Sequence, residues 1–445
     1  MASENGELKR TLNATMLWGL GVGYVISGMY FGWNLGLEKG GTLGLAIATF
    51  FIIIMYVAFT FSYTELACAI PKAGGAFDYA CRALGKNLGF VSGMAQVIEF
   101  IFAPPAIAFA IGAYFNIFFP QLPITGISIF AYILFTALNI YGIKAAAFFE
   151  LIITILAVAE LLLFAGITLP HVEVQHLTQN SFPHGFTGVF AAIPFAIWFF
   201  LGIEGVANVA EEAVNPQKTI LKGFGSAILT LVILCILTFI GSAGVAGWEA
   251  IVFTKEGSSS DSPLPLALSH IVASNNILYH LLITVGLLGL IASFHGLVLA
   301  AGRASFELGR VKFAPAFIGK IHPRFQTPSN ALLLNMLIGI VALLTGKTAE
   351  IITISVFGAL TLYIISMIAI LRLRKMEPEL HRPFKVPFYP ASPIIALIIA
   401  AVSFIAMTIY NFNLALLYGA IVFLCFLLFK LFSAGNKNSI IVSKD

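Results

Sequence analysis

Charge is what this chain has least of. Only 10% of its 445 residues are Asp, Glu, Lys or Arg, against about 25% in an ordinary soluble domain. Such a chain cannot cover itself for water, which excludes a soluble enzyme and a nucleic-acid-binding domain. The net charge of +4 does not alter this, because the basic residues lie between apolar runs. Cysteine is equally sparse: Cys68, Cys81, Cys235 and Cys425 are scattered, with neither metal-ligand spacing nor a disulfide framework. No HExxH or GxSxG is present to anchor an intramembrane lipid-modifying enzyme. No cleavable leader is expected, since Met1 to Thr15 is polar and the first apolar stretch runs on as a full span. No stretch between apolar runs is large enough for a separate core. No cofactor, metal or nucleic-acid partner is expected.

What fills the chain is apolar: 59% of residues are hydrophobic and mean hydropathy is +0.98. Runs of roughly 20 residues match the thickness of a bilayer's hydrocarbon core. The pattern predicts an all-α membrane protein with twelve transmembrane helices. They lie near 14–37, 42–70, 88–115, 124–142, 147–169, 187–210, 221–247, 276–301, 330–346, 350–373, 393–411 and 413–432. With an even count both termini share one side. Setting that side as cytoplasmic leaves only Lys39, Lys255 and Lys347, of 24 basic residues, on the other. The positive-inside rule therefore predicts cytoplasmic tails at 1–13 and 433–445 and a multi-pass protein of the inner (plasma) membrane. The inner connection Gly302 to Ser329 reads as a solvated linker, helix-compatible from Ala304 to Lys312 and stopped by Pro315. The outer stretch Glu256 to Asp261 reads as flexible and without chemistry.

Two spans carry glycine and polar backbone where lipid-facing helix tolerates no break. The first is Gly28, in Val25-Ile26-Ser27-Gly28-Met29-Tyr30-Phe31-Gly32. The second is Gly202, in Trp198-Phe199-Phe200-Leu201-Gly202-Ile203-Glu204-Gly205. Open backbone at bilayer depth survives only where it lines a cavity or is buried in protein. A pair of such breaks in corresponding halves is the best sequence pointer to a secondary transporter's binding site. Half-helix carbonyls accept hydrogen bonds from ammonium groups, and aromatic rings beside them add cation–π attraction. Tyr30, Phe195, Trp198, Phe199 and Phe200 crowd the breaks, so the expected guest is a small organic cation or an amino acid's ammonium end. Gly19-Leu20-Gly21-Val22-Gly23 reads as helix packing, since no strand precedes it and no GKS/T follows.

Acids inside spans are costly and are by default functional candidates. Glu204 sits in the second break, Glu99 mid-span before Pro104-Pro105, and Glu160 in the fifth span. Each could pair an ammonium, carry a proton or hydrogen-bond between helices; all three are candidates for coupling. Glu211 and Glu212 read as cap or latch groups at the inner interface, and His295 as a satisfied core histidine.

The chain resembles the amino acid–polyamine–organocation transporter superfamily over most of its length. Ser62-Tyr63-Thr64-Glu65-Leu66-Ala67, Ile70-Pro71-Lys72-Ala73-Gly74-Gly75 and Tyr79 are similar to that family's second span and the turn after it. Phe200 to Pro216 resembles its sixth span and exit, and Arg303, Pro315 and Pro328-Ser329-Asn330-Ala331 its linker between spans eight and nine. The resemblance implies two inverted five-helix repeats, 14–169 and 187–373, with broken helices 1 and 6, plus two peripheral helices in 393–432. Amino-acid carriers of this kind usually read Gly-Ser-Gly at the first break, whose amides hold a carboxylate. Here Ile26-Ser27-Gly28 stands instead, and a branched residue does not readily take the positive φ that glycine allows. A substrate without a carboxylate is therefore more attractive. Ala192 to Leu201 with Gly205-Val206-Ala207-Asn208 looks most like the ethanolamine permease branch, and ethanolamine is such a substrate. Some proton-coupled relatives carry a lysine in the fifth span; none lies between Phe149 and Leu169.

These readings combine into one expectation. The protein imports ethanolamine or a similar small primary amine by alternating access, either as a symporter coupled to protons through Glu99, Glu160 or Glu204, or by exchange or uniport. Carbonyls around Ser27, Gly28 and Met29 and from Phe200 to Gly202 accept from the ammonium. Glu204 and Glu99 supply negative charge, and Tyr30, Trp198 and Phe199 wall the cavity. Its partners are the amine, protons where coupled, and the lipid bilayer, as a monomer or weak homo-oligomer. An amino-acid permease or exchanger and a non-transporting amine sensor are the alternatives.

Overall fold

A computed structural model describes residues 10–72, 74–142, 146–254 and 257–435. Lys9, Lys144, Lys255, Glu256, Lys437 and Lys444, and with them most of both tails, lie outside the described residues.

In so apolar a solvent every backbone N–H and C=O must be satisfied within the chain, and helices do this locally. The described residues accordingly form helices throughout, with two isolated β-bridges and no strand. In order they are α1 (Ala14–Val25), α2 (Ser27–Tyr30), α3 (Asn34–Ala69), α4 (Ala76–Leu84), α5 (Lys86–Phe118), α6 (Ile124–Tyr141), α7 (Ala146–Thr168) and α8 (Val174–Thr178). Then come α9 (Gly185–Trp198), α10 (Pro216–Ala246), α11 (Glu249–Val252), α12 (Pro263–Ser269), α13 (Ile277–Arg310), α14 (Ser329–Leu343), α15 (Thr348–Met376), α16 (Ala391–Tyr410) and α17 (Phe412–Gly435).

Ten of these segments are long and apolar enough to cross a membrane, and α1 and α14 are shorter apolar helices. The 36 residues of α3 would reach about 54 Å at 1.5 Å per residue, far more than one crossing. Gly41, at φ 65°, divides them. The part before it completes span 1 with α1 and α2, and the rest is span 2. The tally is twelve spans, as expected. The eighth runs further than the sequence suggested, because α13 continues to Arg310 and absorbs the first part of the linker. The outer loop also differs from expectation. It folds as a small bridge between Phe253 and Ser259, and Ser260 is buried.

Packing follows a regular exchange. α1 of span 1 lies along α10 of span 7, as α9 of span 6 lies along α3, meeting span 2 at Tyr56 and the end of span 1 at Gly36 and Gly40. Likewise span 3 (α5) packs on span 10 (α15), and span 5 (α7) on span 8 (α13). Glycines let these helices approach: Gly19 faces Leu151, Gly21 faces Ala227 and Val206, and Gly23 faces Glu150 and Thr154. α16 packs on α3, α9 and α15 from outside, and α17 is largely exposed.

Arginines knit one end of the bundle, here termed the basic end. Glu65, at the end of α3, accepts from Arg374 Nε and Nη2 at 2.7 and 2.6 Å and from the Val386 amide at 2.7 Å. Arg382 lies 3.4 Å away on its other side. Arg82 grips Glu377 with both Nε and Nη2, and Arg303 meets Glu212 at 3.3 Å. The Glu212 carbonyl accepts from the Thr11 and Leu12 amides, so the chain's start is tied to the exit of span 6. Removing one partner of a buried pair leaves the others uncompensated. Glu65→Ala is expected to lower unfolding free energy by on the order of 3 kcal/mol, and Arg374, a fifth exposed, keeps the loss from being larger. A thermal unfolding midpoint unmoved by this change would refute the role given to Glu65.

Candidate substrate site

Both interruptions exist, and each has its own form. Ile26 keeps helical dihedrals (φ −59°, ψ −25°), and its amide makes the last bond back into α1, on the Val22 carbonyl. Ser27–Tyr30 form a single helical turn. The chain then opens at Phe31, which is extended, and at Gly32, with φ 86°. The opening thus lies about one turn beyond Ser27-Gly28, where the sequence placed it. A branched Ile26 opposes a positive φ, whereas Gly32 has no side chain to oppose one. In span 6 the break falls where expected. α9 stops at Trp198, Gly202 turns left-handed at φ 94°, and Ile203–Glu212 continue as a 3₁₀ helix. Ten residues is long for that geometry, which usually persists for 3–4.

The two breaks touch. A side chain at Gly28 would run into the Trp198 carbonyl and come within 3.2 Å of Phe199 Cα. Ser27, Met29, Tyr30, Trp198, Phe199, Phe200, Glu99 and Glu204 are all buried. The structure therefore brings the predicted residues into one layer between the helices.

Aromatic donors satisfy the open carbonyls of this layer. Trp33 Nε1 donates to Met29 O at 3.1 Å, Tyr114 Oη to Tyr30 O at 3.1 Å, and Trp198 Nε1 to Phe31 O at 3.0 Å. Ser27 O takes the Phe31 amide, and Ile197 O takes Phe200 N–H and the Tyr56 hydroxyl. Trp33 stacks on Phe199, and Phe31 meets Trp198 edge-on, both at 5.4 Å. The Ser293 hydroxyl lies 2.8 Å from both Tyr24 O and Ser27 Oγ, tying span 8 to the start of α2. Small cavities, about 10 Å³ each and so near one water in size, flank the layer. One is lined by Tyr30, Tyr114 and Glu160, the other by Gln96, Asn208 and Glu307.

The acids divide into two groups. Glu99 from α5 and Glu204 lie side by side, and Tyr363 of α15 donates to Glu204 Oε2 at 2.9 Å. Tyr363 in turn meets the Tyr56 hydroxyl at 3.1 Å. Neither Glu99 oxygen has a partner satisfying hydrogen-bond geometry, nor has Glu204 Oε1. Two carboxylates so placed repel unless a proton or a cation lies with them. Glu160 sits apart and accepts from the Tyr30 hydroxyl at 2.6 Å. Glu150, absent from the sequence candidates, is also buried, with Oε1 unpartnered beside Gly23. It lies inside the fifth span expected at 147–169, so an acid within a span is the signal that could have found it. Tyr56, Tyr114, Tyr363 and Ser293 were also missed, because nothing in the sequence distinguishes them from other packed residues. His295 packs edge-on against Phe135, but its buried Nε2 has no hydrogen-bond partner, so it is not the satisfied core histidine that was expected. Glu212 is a latch through Arg303, and the side chain of Glu211 lies outside the described residues.

The outer loop reaches this site through Asn34. Its Nδ2 donates to Ser260 O at 2.9 Å, while its Oδ1 accepts from Gly32 N at the break. Next to Ser260, the half-buried Asp261 accepts from the Thr348 hydroxyl at 3.2 Å, at the start of α15. Burial pushes the Asp261 carboxyl up to about 6, against a pull downward by Thr348. The charged groups nearby are the Lys347–Glu350 pair and Glu38, which accepts from Ser259.

The chain matches the family model for amino acid permeases over residues 16–440. It is 27% identical to a branched-chain amino acid permease of Bacillus subtilis, covering 95% of this chain and 94% of the relative. A methylthioribose transporter of the same organism is 26% identical over 88% and 87% of the two chains. A serine/threonine exchanger, again of Bacillus subtilis, is 25% identical over 89% and 91%.

Two outcomes follow from the geometry. Gly28→Ala forces a methyl group against backbone that cannot yield, and about 1–3 kcal/mol of stability should be lost. Gly166→Ala, inside α7 with nothing within 4 Å, should leave the unfolding midpoint unchanged or raise it slightly. Equal behaviour of the two variants would remove the tight contact between spans 1 and 6. The second outcome concerns Asp261. A carboxyl whose docked-state value is raised binds protons better when docked, so docking strengthens as pH falls from about 6 towards 4 and weakens as pH rises through about 6. Hydrogen exchange at the Ser260 and Ser262 amides, corrected for intrinsic rate, should be slower at about pH 5 than at about pH 7.5. Asp261→Asn should flatten that difference, and a difference that persists in the variant would discount Asp261.

Proposed function

This chain belongs to the amino acid permease family, and from that premise we propose that it imports ethanolamine or a similar small primary amine by alternating access. One observation carries the reading. The buried carboxyls Glu99, Glu150, Glu160 and Glu204 take part in no ion pair among the described residues; all such pairs lie at the ends of the bundle. A core carrying acid without base suits a guest that is cationic overall. A zwitterion would set its own carboxylate against Glu99 and Glu204, and helical Ile26 offers no positive-φ amide nest to receive it.

In this reading the ammonium lies between Glu99 and Glu204, walled by Tyr30, Trp198 and Phe199. It donates to the open carbonyls of Ser27, Gly28 and Met29 and of Phe200 to Gly202. The aromatic donors that hold the neighbouring carboxyl and carbonyl oxygens in the closed layer swing away as the site opens. Protons enter through the same acids, or through Glu160 beside Tyr30, where the cycle is symport. The exchange of contacts between spans 1–7 and 6–2, and between 3–10 and 8–5, supports two repeats, 14–169 and 187–373, with 393–432 peripheral. Five spans per repeat is an odd number, so the second copy is inverted. The distribution of Lys and Arg supports placing both tails, 1–13 and 433–445, in the cytoplasm and the protein in the plasma membrane.

The relatives' names favour a second reading, that of an amino-acid permease or exchanger. Uptake of labelled ethanolamine into proteoliposomes, compared with alanine and arginine, separates the two. The expected result is ethanolamine uptake that excess alanine does not inhibit and that Glu204→Gln reduces at least about tenfold, since buried charge pairing is worth more than 1.4 kcal/mol. Uptake that alanine competes away at equal concentration would replace ethanolamine by an amino acid. No flux of any of the three would leave the amine sensor.

A further inference from the structure

We propose that the basic end carries a binding site for a phosphate group, in the groove between the end of α15 and the start of α16. This inference does not rest on the amine reading. Two adjoining cavities of about 340 Å³ each open there, sharing Leu380 and His381. Arg374, Arg382 and Lys385 line one, and Arg10 lines the other. That volume lies within the range of small-ligand sites, roughly 300–1,000 Å³.

The charges are arranged as fixed and mobile groups. Arg382 cannot move: Nη1 donates to the Pro378 and Leu380 carbonyls, Nη2 to those of Leu373 and Glu377, and Nε faces Glu65 at 3.4 Å. Arg374 is held in a two-pronged grip on Glu65, with its guanidinium 4.3 Å over the Tyr389 ring. Two guanidinium groups therefore share the Glu65 carboxylate, and the exposed Glu379 is the other acid of this segment besides Glu377. Glu377 is itself engaged by Arg82. Lys385 and Arg10 are exposed and enter no ion pair among the described residues, so both can close on a guest.

Arg382, whose N–H groups are already engaged, contributes fixed positive charge, while the flexible Lys385 and Arg10 supply donors that several phosphate oxygens can accept from. Basic residues scattered over a face would only set orientation; here they converge on a cavity. The phosphate could belong to an anionic lipid headgroup or to a soluble phosphoester. Phe388, 87% exposed, and Met376, 53% exposed, flank the groove in sequence and supply the apolar surface that acyl chains would meet.

Native mass spectrometry and thermal unfolding of the full-length protein test the site. The additions are short-chain phosphatidylglycerol, short-chain phosphatidylcholine or inorganic phosphate. Saturable stabilisation by phosphatidylglycerol or by phosphate, but not by zwitterionic phosphatidylcholine, is expected. In the double variant Arg10→Gln, Lys385→Gln that binding should weaken at least about tenfold, with uptake of the transported substrate retained. Preference for the lipid identifies a headgroup; equal or better binding of inorganic phosphate identifies a soluble phosphoester. Both outcomes support the site. Anion binding equal in wild type and variant, or binding of neither anion, overturns it.

Discussion

Everything in this molecule answers to one constraint: at bilayer depth no backbone polar group can turn to water. Ten of the spans meet it with continuous helix. Spans 1 and 6 cannot, and their freed carbonyls are met by side chains instead. The donors are aromatic, Trp33, Tyr114, Trp198 and Tyr56. An indole or a phenol brings one polar hydrogen on a large apolar body, so it satisfies a carbonyl without placing a charge in the core. The closed layer is thus stable as it stands, and its weak point is built in. Each donor is a side chain that can rotate, whereas a backbone bond within a helix cannot be given up singly.

Charge is distributed by the same logic. Arginine–carboxylate pairs collect at the ends, where water and headgroups lower the cost of burying an ion. They join elements distant in sequence: Glu65 to Arg374 and Val386, Arg82 to Glu377, Arg303 to Glu212. The core keeps only acids, and two of these share a space without a cation. That imbalance is what the proposed amine site rests on. Elsewhere in the core, tyrosines and glycines give shape without charge.

Much of this was open to inspection in the residues. Hydropathy alone located twelve spans, because a bilayer's thickness imposes a length that no soluble helix must respect. Gly202 and Glu204 marked the second break, since glycine and an acid together have no other business inside an apolar run. The first break was found one turn early. Ser27-Gly28 looks like an opening, but Gly28 is there to let Trp198 approach, and the opening itself falls at Phe31–Gly32. Both roles call for glycine, and a one-dimensional pattern does not distinguish close approach from positive φ.

What the sequence determined by itself, then, was the class of solvent, the number of crossings and the presence of costly acids within them, because each follows from local composition. Partnership was decided only by the tertiary structure. That Glu99 faces Glu204 while Glu160 faces Tyr30, that Glu150 lies buried against Gly23, and that the outer loop reaches Gly32 through Asn34 all depend on residues far apart in the chain. Local pattern says what a residue costs in lipid; only packing says which neighbour offsets that cost.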